Sequence, residues 1–396
     1  MKIFCTLIII LAYISKPSSA CPLQISAKEL PSDILQTRTK HLHAYRYHKG
    51  KWHKIPLQVH LKDQSNRLLF DIKNPQLTPP DTIVIPNHHI YGQTTYKNPP
   101  CKGSGVQIHS VDQGTTYIIR CQTSDKLSDF GAVSYNTERS FIQTPHYTYQ
   151  FDPLNQMLFQ DIAIGGESIV KNADLMIRAD FKKFFTFHFR REHIQSNIHQ
   201  QQSWFSGLAT QINFFLKILF FKIELALSSD LFFYPDSGHI PMVLMLPAHA
   251  KNYVHPGSGL LYSWENAHQD LNWSYSMPKI QEQLFPKKEQ IQQVVKESCK
   301  NNLCIFSLTG SFKNKQFVMH FHLPKYLVEG GFYPTFVPNL QNWGQHFPDY
   351  KETPRTGVYF EASQILKGRH TWNFWIQLNK QALCPDKPTS IIKFST

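Results

Sequence analysis

Aromatic, amide and cationic side chains alternate with apolar ones in two segments, and this spacing suits the binding of an acidic sugar or a phosphate. In the segment 372–377 every second residue is apolar, and the residues between are Asn373, Trp375 and Gln377. The Phe-rich segment 180–190 places Lys182 and Arg190 on the polar side of a similar alternation. An aromatic ring can stack on a sugar while amides bind its hydroxyls and cations attract its charge. We therefore predict that these five residues form a ligand-binding face; the alternatives are an ordinary solvated sheet face, or a Trp375 ring packed under a second layer.

Motifs that would identify catalysis or metal binding are weak. The pair His320 and His322 has the spacing that presents two imidazoles on one face of a strand, and His41 and His43 repeat it. A zinc site needs further ligands, and the chain has no His-Glu-x-x-His helix. It also lacks a Gly-x-Ser-x-Gly elbow. We predict no metal and no cofactor, and the sequence nominates no catalytic residue.

The cysteine count indicates disulfides. Of the 7 cysteines, Cys5 lies in an N-terminal apolar segment, which leaves an even set of Cys21, Cys101, Cys121, Cys299, Cys304 and Cys384. Cys299 and Cys304 bracket a turn-prone segment with two asparagines, and Cys101 and Cys121 flank a segment that can fold back as a hairpin. We predict these two disulfides, which leaves Cys21 and Cys384 to join the two ends of the chain.

The first twenty residues have the order of a secretory signal peptide. A charged start at Lys2 precedes a short apolar run, and small residues follow up to Ala20. The run is shorter than the roughly 20 residues that a transmembrane helix needs. We predict cleavage after Ala20 and a periplasmic or extracellular protein without a transmembrane span. Lipidation of Cys21, as in bacterial lipoproteins, is the minority alternative, because Ser18 stands where the usual motif has Leu.

The chain is strongly basic, with a formal net charge of +13 and 20 histidines. A basic exported protein suits anionic surfaces such as lipid head groups, lipopolysaccharide or uronic-acid polymers. No motif indicates sequence-specific nucleic-acid binding, and the oligomeric state does not follow from the sequence. The alternative is that the excess of cations serves only to keep the protein soluble.

Apolar residues alternate with period two in many segments that are rich in Phe, Tyr, Ile and Val, and Pro and Gly clusters separate these segments. This pattern predicts a mostly β protein with antiparallel sandwich-type domains and a few short helices. We predict a signal segment at 1–20, an N-terminal β domain at 22–146 and a larger β-rich domain at 147–396. One helix is predicted at 286–298, and a second is predicted to begin at Ser203. The nearly continuous apolar segment 212–227 is predicted to be buried, with lipid contact as the alternative.

Taken together, these features predict an exported envelope protein that binds an anionic glycan or lipid surface through a basic, aromatic sheet face. An exported polysaccharide-degrading enzyme, of lyase type, is the alternative. Lyase chemistry needs a group that neutralises a carboxylate and a Tyr or His base, and the chain contains many residues of both types.

Overall fold

Antiparallel β-strands dominate the computed structural model of the protein, so the prediction of a mostly β, sandwich-type fold with few helices is confirmed. The structure describes residues 22–64, 68–69, 72, 75–85, 100–101, 103–110, 114–121, 133–136, 140–153, 155, 158–182, 186–190, 194–204, 207–218, 221–246, 248–279, 284, 286–350, 354–378 and 390–395. For residues 104, 109, 110, 114, 187, 194–204, 207–218, 221–228 and 390–395 it describes the backbone alone.

The chain divides into two compact units. One contains Met1–Phe130 together with Lys380–Thr396, and the other contains Gly131–Asn379. This division differs from the predicted one in two respects: the boundary lies at 130/131 and not at 146/147, and the C-terminal segment returns to the first unit and forms a strand there. The alternation of apolar residues predicts strands but does not show which strands pair, so the sequence pattern does not reveal this return.

The described residues of the first unit form two sheets. The smaller sheet has the order β1-β5-β4, from β1 (Leu23–Ser26), β4 (Gln58–His60) and β5 (Thr82–Ile85). The larger has the order β26-β6-β7-β2-β3, from β2 (Leu42–His48), β3 (Lys51–Ile55), β6 (Ser104–Ser110), β7 (Gly114–Arg120) and β26 (Ser390–Ser395). One aliphatic core draws on both sheets, with Ile25 and Ile83 from the smaller and Val106 and Ile118 from the larger. Short 3-10 helices lie at Ala27–Glu29 and Thr39–His41.

In the second unit the described strands form two large sheets. We name as the first large sheet β8 (Ser134–Asn136), β9 (Phe141–Gln143), β10 (Tyr147–Phe151), β11 (Phe159–Ile164), β12 (Glu167–Asp180), β13 (Thr186–Phe189), β18 (Gly259–Asn266), β23 (Pro334–Val337) and β24 (Thr356–Glu361). Its order is β23-β24-β18-β12-β11-β10-β9-β8, and β13 also pairs with β12.

We name as the second large sheet β14 (Ile194–Trp204), β15 (Gly207–Ile218), β16 (Phe221–Phe233), β17 (Ser237–Leu246), β19 (Asn272–Tyr275), β20 (Cys299–Lys300), β21 (Leu303–Phe312), β22 (Lys315–Pro324) and β25 (Gly368–Gln377). Its order is β14-β15-β16-β17-β25-β22-β21-β19, and β20 also pairs with β21. Aromatic rings pack between the two large sheets: Tyr149 lies 5.0 Å from Phe233, and Phe321 lies 5.5 Å from Phe360, between ring centroids. These contacts make the second unit a β-sandwich with a Phe-rich core.

Helices are short and lie at the margins of the second unit. The predicted helix at 286–298 is confirmed as α1 (Lys288–Ser298), and α2 (Lys325–Glu329) follows β22. Single 3-10 turns lie at Ala250–Asn252, Leu340–Trp343 and Pro348–Tyr350. Helix α1 begins after Pro286, where the Lys287 N–H donates to Gln290 Oε1 at 2.7 Å.

The helix predicted from Ser203 is wrong. Ser203 lies in β14, which pairs antiparallel with β15, with Trp204 and Gly207 as cross-strand partners. Strands β15 and β16 cover the apolar segment 212–227 except for residues 219–220, which lie outside the described residues. The β-branched and aromatic residues of this segment favour strands, and pairing on both sides satisfies the backbone. The predicted burial of the segment concerns side chains outside the described residues.

Candidate functional site

Exposed apolar and basic side chains lie together at one end of the second unit. In the described part of the chain seven large hydrophobic side chains are exposed, and four of them are found here, between 46% and 58% exposed. Four exposed cationic side chains accompany them. We name as the basic apolar patch the side chains of Lys182, Met245, Lys251, Tyr253, Tyr326, Leu366, Lys367 and Arg369.

Hydrogen bonds connect the turns that carry the patch. The Lys182 backbone N–H donates to the carbonyl oxygen of Tyr253 at 3.0 Å, and its ammonium group donates to the carbonyl oxygen of Lys251. The Lys367 N–H donates to His249 Nδ1 at 3.0 Å, and the Ala250 N–H donates to the carbonyl oxygen of Ile365 at 3.0 Å. The segment after β12, the 3-10 turn after β17 and the turn before β25 are therefore fixed against one another.

A buried histidine, His370, forms hydrogen bonds with two further segments that carry the patch. His370 is 4% exposed, and its Nε2–H donates to the carbonyl oxygen of Leu366 at 2.8 Å. With that tautomer, Nδ1 accepts a hydrogen bond from the Tyr326 hydroxyl at 3.3 Å. Met245 and Arg369 are cross-strand partners in β17 and β25. His370 thus links the β24–β25 turn, which carries the exposed Leu366, to α2, which carries the exposed Tyr326.

The charges of the patch are one-sided. Lys182, Lys251, Lys367 and Arg369 are all exposed. Two carboxylates on the same segments are engaged in ion pairs, Glu329 with Lys325 at 3.5 Å and Asp180 with Arg178 at 3.8 Å. A surface with this excess of cations attracts anions.

The structure places Trp375 in a buried position. As predicted, Trp372, Phe374 and Ile376 face the core and Trp375 faces the other way. Yet Trp375 is only 7% exposed, and its ring stacks on His239 with centroids 3.9 Å apart and planes at 9°. The expectation of an outward, exposed ring is therefore wrong, because alternation determines the side of a sheet and not whether that side is covered.

The two amides predicted beside Trp375 are engaged by histidines. The exposed Asn373 accepts a hydrogen bond at Oδ1 from His239 Nε2 at 3.0 Å. Gln377 is fully buried, and its Oε1 accepts one from His320 Nε2 at 3.1 Å. These contacts join the amides into the same face of the second large sheet as Trp375.

The two predicted cations do not lie on that face. Lys182 follows β12 and belongs to the basic apolar patch. Arg190 follows β13 of the first large sheet and forms an ion pair with Asp349. The five predicted ligand residues therefore do not form one constellation, although one of them, Lys182, lies in a surface with the predicted basic and aromatic character.

Sequence reasoning missed the rest of the patch. Lys251, Tyr253, Leu366 and Lys367 lie in turns, where no periodicity marks them, and Met245, Tyr326 and Arg369 come from three separate elements, β17, α2 and β25. A local signal exists in retrospect: apolar and basic residues adjoin in the turn sequences around Tyr253 and Leu366. Hydrophobic residues in turns are unusual enough to be noticed, since loops lie on the surface.

Both locally predicted disulfides are present. Cys101 bonds to Cys121, and Cys299 bonds to Cys304 across the β20–β21 pair. Disulfides are typical of proteins that fold in an oxidising compartment. Cys21 and Cys384 lie outside the described residues, so their predicted pairing and the lipidation alternative stay predictions.

Clusters of metal ligands and membrane-spanning helices are both absent from the described residues. His320 and His322 are both buried, with ring centroids 6.4 Å apart, and nowhere in the described part do three His, Cys, Asp or Glu side chains group as a metal site. Among the helices in that part, none has the length and apolar character required to cross a membrane.

Comparison with known proteins does not assign the chain to a family. No protein-family model matches the chain, and no curated protein matches it. The chain is similar to a solved glycosyl hydrolase family 38 protein from Enterococcus faecalis, with 8% identity and a TM-score of 0.42, over 92% of this chain and 44% of that one. It is similar to an alpha-mannosidase from Enterococcus faecalis, again with 8% identity and a TM-score of 0.42, over 92% of this chain and 42% of that one.

A third solved structure is the Slr1438 protein from Synechocystis sp. PCC 6803, with 6% identity and a TM-score of 0.32, over 63% of this chain and 95% of that one. The chain spans less than half the length of the first two proteins. At these identities and TM-scores the similarities carry no argument about function.

Proposed function

We propose that this protein is an exported, peripherally attached envelope protein that binds an anionic lipid surface through the basic apolar patch. The observation that carries the proposal is the clustering of four exposed apolar side chains with four exposed cations on segments fixed by hydrogen bonds. The formal net charge of +13 supports it, since the whole molecule is attracted to an anionic surface before the patch makes contact.

Lipid is favoured over an anionic polysaccharide by the apolar members of the patch. Leu366 and Met245 are about half exposed and offer nothing to the hydroxyls of a sugar. At a lipid interface the same side chains leave water, while Tyr253 and Tyr326 keep their hydroxyl groups at head-group level. Lysines suit this position because their alkyl stems cover apolar surface while the ammonium groups stay in water.

The magnitudes are sufficient for reversible attachment. Each cation near an anionic leaflet contributes about 1 kcal/mol, which gives about 4 kcal/mol for the four. Burial of four half-exposed apolar side chains adds about 1 kcal/mol each. The sum of about 8 kcal/mol corresponds to binding in the micromolar range.

Vesicle sedimentation tests the proposal. Wild-type protein is expected to bind vesicles of phosphatidylcholine with phosphatidylglycerol and to dissociate as salt is added, because the lipid charges are screened. The variant Lys182→Gln/Lys251→Gln/Lys367→Gln should bind about 100-fold more weakly, from about 1 kcal/mol for each lost charge. The control Lys288→Gln/Lys296→Gln/Lys300→Gln removes the same charge from exposed lysines elsewhere and should bind almost as well.

A second variant separates apolar insertion from charge. Tyr253→Ser/Leu366→Ser keeps every cation and should weaken vesicle binding at high salt more than at low salt. Equal binding of wild type to neutral and anionic vesicles would contradict the proposal. So would retardation by a uronic-acid polymer in a gel without any vesicle binding, which would make the partner a polysaccharide.

Two other predictions remain. The sugar-contacting role of Trp375, Asn373 and Gln377 stays a prediction, tested by glycan titration of Trp375→Ala. The lyase alternative also stays a prediction. Incubation of the purified protein with uronic-acid polymers, followed by the absorbance of unsaturated products, is its test.

A further inference from the structure

We propose that a groove beside α1 binds a neutral oligosaccharide, a site separate from the basic apolar patch. The groove has a volume of about 630 Å³, within the range of ligand pockets. Helix α1 forms one wall, and the end of β19 with the residues that follow it forms the other. Tyr333 and Met277 are buried at its base.

Both walls are fixed. At the C-terminal end of α1, the Cys299–Cys304 disulfide joins the helix to β21. On the opposite wall, the Ser276 N–H donates to the carbonyl oxygen of Ser307 at 2.9 Å, and the two serine hydroxyls are 2.9 Å apart. A preformed groove of this kind loses little conformational entropy when a ligand binds.

An exposed aromatic ring stands at the rim. Tyr275 is 43% exposed, and its ring packs against Phe336 with centroids 4.8 Å apart. Phe336 is 2% exposed, so it provides a rigid support. An aromatic side chain held in one orientation at a groove edge can stack on the apolar face of a sugar ring.

The lining offers the mixed donors and acceptors that sugar hydroxyls require. Gln293 of α1 carries an amide, which contacts Glu297 Oε1, and Thr335 of β23 carries a hydroxyl. Burial, with the nearby Glu361 carboxylate, raises the pKa of Tyr333 to about 12. Tyr333 therefore keeps its proton at physiological pH and can both donate and accept.

The charge of the groove excludes an acidic sugar as the preferred ligand. Its described lining carries two carboxylates, Glu289 and Glu297, and one ammonium group, that of Lys279. This balance is opposite to that of the basic apolar patch.

Affinity gel electrophoresis against neutral polymers (starch, mannan, xylan and mixed-linkage glucan) and polygalacturonate tests the site. We expect at least one neutral polymer to retard the wild type and polygalacturonate to be the weaker ligand. Tyr275→Ala should weaken that binding at least tenfold, and Tyr275→Phe should retain it, because only the ring is required. Gln293→Ala should weaken it independently of Tyr275.

The control is Tyr253→Ala, which removes an exposed tyrosine from the basic apolar patch and should leave glycan binding unchanged. Conversely, Tyr275→Ala should bind anionic vesicles as wild type does, so failure of one proposal is distinguishable from failure of the other. Absence of retardation by all four neutral polymers would overturn the inference. A Tyr275→Ala protein that melts normally and binds glycan like the wild type would overturn it as well.

Discussion

Replacement of Trp375 by alanine should destabilise the second unit. The Trp375 ring is 7% exposed and lies flat on the His239 ring, at 3.9 Å between centroids. His239 in turn stacks near Phe232, at 5.7 Å between centroids. Removal of the indole therefore leaves a cavity beside a stack of rings that the sheet holds in place.

The expected cost follows from the burial. Truncation of a buried Trp to alanine costs about 3–5 kcal/mol, whereas a change at an exposed position usually stays within about 0.5 kcal/mol. In a unit of this size each kcal/mol lowers the melting temperature by about 2–4 °C, so a decrease of about 10 °C is expected. If Trp375 instead contacted a ligand from an exposed position, the change would weaken binding by about 1–3 kcal/mol and leave the melting curve almost unchanged.

Thermal melts and urea titrations of Trp375→Ala, Trp375→Phe and Tyr275→Ala separate these outcomes. Trp375→Phe keeps a ring against His239 and should lose less stability than Trp375→Ala. Tyr275→Ala removes an exposed ring and should melt near the wild type. A Trp375→Ala protein whose melting temperature equals that of the wild type would refute the reasoning from burial.

Two further predictions concern the buried Glu361 and the two disulfides. Burial raises the pKa of Glu361 above its usual value, although the Gly257 and Ser363 N–H groups donate to its Oε1 at 3.2 and 3.1 Å. Because its pKa is raised in the folded state, Glu361 contributes fully to the stability of the fold only below the ordinary carboxyl pKa. This contribution to the free energy of unfolding is lost as the pH rises through the raised pKa. Glu361→Gln should therefore gain stability over wild type at about pH 8 and lose that advantage at about pH 4, as urea midpoints would show; lower stability of the variant at the higher pH would contradict this. Removal of the Cys101–Cys121 disulfide, which spans 20 residues, should cost about 3 kcal/mol, and removal of Cys299–Cys304, which spans 5, about 2 kcal/mol. Only the second should reduce hydrogen-exchange protection in α1, and equal protection in both variants would argue against its role at the helix end.

Local patterns in the sequence were sufficient for the local features. The apolar positions and the preceding Pro286 predicted α1, and turn-prone spacing predicted the Cys299–Cys304 disulfide. Alternation predicted the sides of β25 correctly, with Phe374 inward and Trp375 on the other face. Each of these inferences depends on residues within about one element, where backbone geometry dictates the result.

Non-local features did not follow from the same patterns. The burial of Trp375 depends on residues far away in the chain, such as His239 in β17. A helix is predicted to begin at Ser203, but β14, β15 and β16 pair side by side and satisfy one another's backbone groups. Strand pairing is a property of two or more segments, so a single segment cannot reveal it.

The net charge of the whole chain differs in sign from the charge of the groove beside α1. An excess of cations predicts attraction to anionic surfaces, and the basic apolar patch has this character. Yet the lining beside α1 carries more carboxylates than ammonium groups within the same basic protein. Ligand choice in a concave site is decided by the few groups that a ligand touches at short range, whereas the summed charge acts over about a Debye length. We therefore apply the prediction of anionic ligands from composition to the proposed lipid-binding surface and not to the groove.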